Sequence, residues 1–271
     1  MSFDMGPSLL FCPADRPDRF EKAAERADAV ILDLEDAVAP EHKTAARDAL
    51  TGSSLDPERT IVRVNSFDSG YFADDLVALA HTPYRTVMVA KAESAEQLSG
   101  LSRYSVIALC ETALGVQRAP SMAALPHVVA LMWGAEDLVA SLGGTSSRLP
   151  DGSYRDVARY ARSAVLLAAG AARCSAIDAV HVDIADLEGL DAEARDAAAS
   201  GFAASAVIHP SQVETVRSAF RPSDAELDWA RRVVEGAAST GGVFRLDGRM
   251  VDGPVVRHAE HVLARARPTM D

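Results

Sequence analysis

Cysteine is scarce and unpatterned. The chain carries three in 271 residues, Cys12, Cys110 and Cys174, with no CxxC and no Cys/His metal spacing. That excludes a disulfide framework and a Cys/His zinc site, and the thiols read as reduced, cytosolic ones. Positive charge is also short. Lys and Arg number 27 against 39 Asp and Glu, a net charge of −12, which argues against a nucleic-acid or anionic-membrane partner. An anionic ligand would need a locally basic pocket. No apolar run reaches the roughly 18 residues of a membrane span. The N-terminus has an Asp where a signal peptide would carry basic residues, so the expected compartment is the cytoplasm. No GxGxxG follows the first apolar run, which argues against a dinucleotide fold. Gly143-Gly144-Thr-Ser-Ser-Arg148 lacks the spacing and lysine of a P-loop and reads as a flexible loop over a site mouth. Aromatics are only 6%, and abundant alanine favours helices packed through small side chains.

What is present is a regular alternation. Short apolar runs bounded by polar or proline signals read as buried strands at 8–12, 29–33, 60–65, 86–90, 106–110, 128–133, 178–182 and 206–210. Helical periodicity marks 16–27, 40–50, 72–80, 94–101, 154–173, 191–200 and 212–220. Eight strand–helix units predict a parallel sheet closed into a (β/α)8 TIM barrel. The barrel is expected over residues 1–221 and a C-terminal extension over 222–271. The extension reads as a helix at 222–238, a hairpin at 243–251 turning at Asp247-Gly248, and a helix at 255–266. Segments added after a closed barrel often cover a neighbouring subunit or the site mouth.

Two of the runs stop at carboxylates. Ile107-Ala-Leu-Cys-Glu111 has a partner 26 positions on, in Met132-Trp-Gly-Ala-Glu-Asp137. Acids just past parallel strands sit at the C-terminal rim, where α/β proteins place their chemistry. If those strands are neighbours, Glu111 and Asp137 converge and suit Mg²⁺, a hard cation that prefers oxygen ligands. Otherwise they are two solvated rim acids. Arg63 alternates with apolar residues along its strand. It either binds a substrate carboxylate bidentately or forms a structural pair with Asp33, Glu35 or Asp36. Glu35 and Asp36 could orient metal-bound water or cap the next helix. Lys91, at a strand end, is an electrostatic group or a Schiff-base nucleophile. His209, before Pro210, reads as a core histidine in preference to a site residue. Arg16, Arg19 and Lys22 could hold the phosphates of a CoA-like ligand or form a solvated helix face.

Taken in order, Pro13 with its basic helix, Asp33-Leu-Glu-Asp36-Ala-Val, Val62-Arg63-Val-Asn65, Lys91-Ala-Glu93-Ser, Glu111-Thr-Ala, Gly134-Ala-Glu-Asp137-Leu and Ile208-His209-Pro210-Ser-Gln form a specific set. With the tail Gly248-Arg-Met-Val-Asp252-Gly-Pro, the chain resembles the citrate lyase beta-subunit-like proteins of the HpcH/HpaI aldolase superfamily. The resemblance implies a TIM barrel with Mg²⁺ held by Glu111 and Asp137, and Mn²⁺ as a substitute. It implies substrate contacts from Arg63, Glu111, Asp36 and Lys91, and CoA contacts from Arg16, Lys22, His209 and Pro210. Asp252 would be a catalytic acid on a segment lent to a neighbouring subunit, in a homotrimer or a multiple of three. The implied activity is reversible carbon–carbon cleavage of a 3-hydroxyacyl-CoA to acetyl-CoA, or propionyl-CoA, and an oxo acid. Two other activities are a citrate lyase beta subunit acting on an acyl-carrier-protein thioester and a non-catalytic CoA-thioester binder. A CoA-independent pyruvate aldolase would use a His/Arg pair that is not found. The chain departs from the family at Ala90, where a proline is usual, and at Ala14, where a glycine is usual. Both departures bear on substrate identity more than on metal binding.

Overall fold

The computed structural model describes residues 3–266. Its eight strands are β1 Ser8–Pro13, β2 Ala29–Asp33, β3 Thr60–Val64, β4 Thr86–Val89, β5 Ser105–Cys110, β6 Val128–Trp133, β7 Ser175–Asp178 and β8 Ala204–Val207. They pair in sequence order, and β8 pairs back onto β1 to close a parallel barrel. The helices between them are α1 Phe20–Arg26, α2 Lys43–Thr51, α3 Phe72–Ala80, α4 Ala95–Ser99, α5 Ala113–Ala123, α6 Ala135–Ser141, α7 Asp156–Ala172 and α8 Leu187–Ser200. This is the expected (β/α)8 TIM barrel.

Strand side chains alternate between faces, and that period builds both core and site. Leu9, Ile31, Ile61, Leu109, Met132 and Ala206 point inward and pack as one buried cluster. Two residues further along each run stand Phe11, Asp33, Arg63, Glu111, Gly134 and Ile208, and all six line a single cavity. The apolar layer is thus the floor of the site.

Several boundaries move. The seventh strand is Ser175–Asp178, ahead of the expected 178–182. Arg173, at φ 60°, ends α7 in a left-handed turn, so the strand starts almost at once. Asp178 then closes it, fixed by Trp133 Nε1 at 2.5 Å and by Arg162 Nη2 at 2.8 Å. The eighth strand likewise begins earlier, at Ala204. Helix α5 was not bounded from the sequence. Its signal is Thr112, whose hydroxyl accepts the Gly115 N–H at 3.0 Å as an N-cap. The segment read as a flexible mouth loop is tied down. Ser147 donates to Glu136 Oε1, and Arg148 grips Glu193 through Nη1 at 2.5 Å and Nη2 at 3.2 Å. Arg148 also lies 4.0 Å over the Tyr154 ring.

The chain divides into two compact units, Met1–Val216 and Arg217–Asp271, with the division inside α9 Val213–Phe220. The second unit holds α10 Asp224–Thr240, a hairpin of β9 Phe244–Leu246 and β10 Arg249–Val251, and α11 Gly253–Arg265. Ser223 and Glu226 form a capping box at the start of α10. Asp247 and Gly248 both have positive φ, 47° and 80°, as a two-residue turn matched to strand twist requires. Ala230, Val233, Val251, Ala259 and Val262 form the unit's own small core. Among the described residues no helix is long and apolar enough to cross a membrane.

Candidate active site

A cavity of about 180 Å³ opens at the C-terminal rim of the barrel. Glu111, Asp137 and Arg63 all line it. Strands β5 and β6 are neighbours in register Cys110↔Trp133. Glu111 therefore leaves β5 beside Gly134, and Asp137 follows in the first turn of α6. Gly134 is required by this approach. A Cβ there would lie 2.9 Å from both Cβ and Oε2 of Glu111, closer than real side chains come.

Glu111 is buried, with 3% exposure. Its Oε1 accepts the backbone N–H of Lys91 at 3.0 Å. Burial first, and the facing Asp137 carboxylate second, push the Glu111 carboxyl up to about 8. A cation between the two carboxylates would relieve that repulsion and favour the ionised form of Glu111.

Arg63 is fixed from below. Its Nε and Nη2 donate to the two oxygens of Asp33 at 2.7 and 2.6 Å, a fork-to-fork pair. Its Nη1 lies 3.1 Å from Glu35 Oε2, and its guanidinium carbon stands 4.8 Å over the Phe11 ring. Asp33 has no exposed surface and also accepts the N–H groups of Glu35 and Ala37, at 2.9 and 3.1 Å. The structural pairing expected as one option for Arg63 is therefore present. It leaves the cavity-facing donors of the fork to a ligand, because Arg has five N–H groups.

Lys91 stands in the turn two residues beyond β4, in a left-handed backbone with φ 50°. Its ammonium contacts Glu35 Oε1, Asp36 Oδ2 at 3.1 Å and Asp137 Oδ1 at 3.5 Å. Burial opposes its charge, but Glu35 first among the acids raises its affinity for the proton. The carboxylates around the ammonium favour the electrostatic role over that of a Schiff-base nucleophile. Burial also works against Asp36, yet the Lys91 contact holds it below the usual carboxylate range. Burial outweighs Arg63 and Lys91 at Glu35 and raises that carboxyl. Neither acid caps a helix. The turn before α2 begins at Ala39, with no side-chain cap.

Sequence reasoning missed the buried Lys43. Its ammonium donates to the carbonyls of Leu34 and Glu35 at 2.6 and 2.8 Å and to Asn65 Oδ1 at 2.9 Å. A lysine among the alanines at the start of α2 carried no signal that it points inward. With it counted, Asp33, Glu35, Asp36, Glu111 and Asp137 face three cations, Lys43, Arg63 and Lys91. Formally the carboxyl groups outnumber the cations by two, five against three, with Glu111 keeping its proton up to about 8 until an ion displaces it. Among the described residues no three His, Cys, Asp or Glu side chains form a metal-holding group. A cation here would take two carboxylates and complete its shell with water and substrate, which suits Mg²⁺. The donor set and charge therefore fit that ion.

Arg16, Lys22, His209 and Pro210 are not among the residues that line the cavity. Arg16 and Lys22 are exposed on the turn and helix after β1, and Arg16 Nε pairs with Asp18 at 3.3 Å. His209 is exposed rather than a core histidine. Its Nδ1 meets Ser211 Oγ at 2.8 Å, in a cap that starts the turn at Pro210. The reason is the shorter β8. The strand ends at Val207, so Ile208 turns into the cavity wall and His209 falls outside the barrel. Asp252 lies in the second unit as the N-cap of α11, and its Oδ1 accepts the Val255 N–H at 3.4 Å.

Residues 7–210 match the family described as HpcH/HpaI aldolase/citrate lyase. The chain is 58% identical over 261 residues to a citrate lyase subunit beta-like protein of Mycobacterium tuberculosis, covering 96% of each. It is 35% identical over 272 residues to a (3S)-malyl-CoA thioesterase of Cereibacter sphaeroides, covering 96% of this chain and 94% of the relative. A crystal structure of the protein CitE from M. tuberculosis, in complex with magnesium, acetoacetate and coenzyme A, superimposes with a TM-score of 0.92 at 58% identity. That match covers 96% of this chain and 98% of the other.

Proposed function

The chain belongs to the HpcH/HpaI aldolase/citrate lyase family, and on that premise we propose that it is a Mg²⁺-dependent carbon–carbon lyase acting on 3-hydroxyacyl-CoA thioesters. Candidate substrates are citramalyl-, malyl-, citryl- and 3-hydroxy-3-methylglutaryl-CoA, giving acetyl-CoA (or propionyl-CoA) and an oxo acid. The observation that carries the reading is the presence of Glu111, Asp137 and the Asp33-locked Arg63 in one cavity. Magnesium with an oxo acid and coenzyme A in the M. tuberculosis structure supports it.

Glu111 and Asp137 would hold the ion. When bound, Mg²⁺ supplies Lewis-acid polarisation of the carbon–oxygen bond in the oxo-acid half. Arg63 places a fixed positive fork at the substrate carboxylate and at the oxygen where negative charge develops during retro-aldol cleavage. Asp33 and Glu35 hold that fork still, so no reorientation is needed as the bond breaks. Phe11, Leu109, Met132, Val180 and Ile208 form the apolar part of the wall, which excludes water from the reacting carbons. Asp252, on the second unit of another copy, would protonate the acetyl-CoA enol, or remove that proton in the condensing direction. The assembly proposed with it is a homotrimer or a multiple of three in the cytoplasm. Arg16, Lys22, His209 and Pro210 would carry the CoA end of the substrate, with Arg16 and Lys22 meeting its phosphates.

The test is purified full-length protein with Mg²⁺, presented with each of the four thioesters while acetyl-CoA and free CoA are measured separately. Release of acetyl-CoA with an oxo acid supports the lyase. The C. sphaeroides relative is a malyl-CoA thioesterase, so release of free CoA with intact malate would favour hydrolysis instead. No turnover of any of the four would sink both readings.

A further inference from the structure

Lys91 reaches the candidate ion site through two different atoms. Its backbone N–H donates to Glu111 Oε1 at 3.0 Å. Its ammonium stands 3.5 Å from Asp137 Oδ1, with Asp36 Oδ2 at 3.1 Å and Glu35 Oε1 in contact on its other sides. One residue therefore touches both carboxylates of the pair. The backbone that allows this is left-handed, at φ 50°, a conformation that glycine adopts freely and lysine only under strain. A long cationic side chain is kept at a position where glycine would relieve the backbone. An ammonium ringed by three carboxylates has little freedom to meet a substrate anion, and it is absent from the lining of the cavity itself.

Resting on the metal reading above, we infer that Lys91 is a positioning residue and the resident counter-ion of the metal site. Its N–H keeps Glu111 aimed into the cavity, whatever occupies the site. Its ammonium neutralises Asp137 and Glu35 when no ion is bound, which keeps the carboxylate pair preformed. The same charge works against an incoming ion. Lys91 and Mg²⁺ would share Asp137, and two cations around one partly exposed carboxylate repel each other. Lys91 therefore lowers the affinity for Mg²⁺ while raising the stability of the metal-free fold.

The test compares the wild type with Lys91→Met, Lys91→Gly and Lys91→Arg, each a full chain stripped of metal. Mg²⁺ is titrated by calorimetry, and Tm is measured with and without Mg²⁺. The two neutral variants are expected to bind Mg²⁺ more tightly, on the order of tenfold, to melt lower without it, and to gain more Tm on its addition. Lys91→Arg keeps the charge and is expected to stay within about threefold of the wild-type Kd. A lysine serving only as a packing group would give a lower Tm with no gain in affinity and no rescue by arginine. Lys91→Gly also relieves the backbone, so the comparison stands if Lys91→Met fails to fold. Unchanged or weaker Mg²⁺ binding in the neutral variants, beside a wild type that binds, overturns the inference alone. A wild type that binds no Mg²⁺ overturns the metal reading and this inference with it.

Discussion

Arg63 combines a structural pairing with the role proposed for it at the substrate. Its pairing with Asp33 consumes one edge of the fork and aims the rest at the cavity. A lysine supplies the charge as a point and cannot hold two oxygens in plane. Arg63→Lys is expected to lower kcat roughly 100-fold; near-native turnover would mean that Arg63 serves only Asp33 and Glu35. Glu111 makes a different prediction, through pH. Its carboxyl ordinarily titrates near 4.5 and is raised to about 8 by burial and then by Asp137. A raised acid keeps its proton in the fold after the unfolded chain has lost it, so the metal-free fold loses stability as pH rises across that window. Mg²⁺ favours the ionised form and must displace that proton at lower pH. The Tm gained on adding Mg²⁺ should therefore grow as pH rises toward about 8. A gain that stays flat, with Mg²⁺ bound throughout, would remove Glu111 from the metal's ligands.

The elements explain why the site is so compact. Strands β5 and β6 end level, with Cys110 paired to Trp133, and Gly134 lets α6 begin against the Glu111 side chain. Gly134→Ala is expected to weaken Mg²⁺ binding at least tenfold by displacing Glu111, and to cost about 1–3 kcal/mol in stability as an overpacked contact. Mg²⁺ titration and denaturant unfolding would check the two effects, and unaltered Mg²⁺ affinity would show that Glu111 is not a ligand. Much of this was legible in the sequence. Apolar runs ending at Asp33 and Glu111, and one in which Arg63 alternates with apolar residues, announced strands that deliver polar groups to a rim. What failed was tertiary in origin. Val180 and Val182 mimic a strand around His181, but Asp178 had already closed β7 by its contacts with Arg162 and Trp133. His209 looked like core because nothing local shows that β8 stops at Val207. Lys43 looked like helix surface because its partners, Leu34, Glu35 and Asn65, come from other segments.

At the scale of the whole molecule, the second unit carries Asp252. Asp252 caps α11, and a cap alone predicts that Asp252→Ala loses about 1 kcal/mol of stability and keeps its turnover. A general acid–base group predicts a loss of roughly 100-fold in rate. If the unit serves another copy, inactive Asp252→Ala chains mixed with inactive Glu111→Ala chains should recover partial activity after subunit exchange. Some sites would then combine an intact ion pair with an intact Asp252. Exchange that is verified and restores nothing would confine Asp252 to its own chain or to the cap.

The proposed function rests most heavily on Glu111 and Asp137 as the ligands of an essential ion. The most direct measurement is thioester cleavage by the metal-stripped protein before and after Mg²⁺ is returned, for the wild type, Glu111→Gln, Asp137→Asn and the double variant. The wild type should be silent without metal and recover with Mg²⁺ or Mn²⁺. The variants should stay silent with Tm values near the wild type's, since rim residues contribute little to the barrel core. Full activity in the stripped wild type, or in the double variant, would contradict the metal assignment outright.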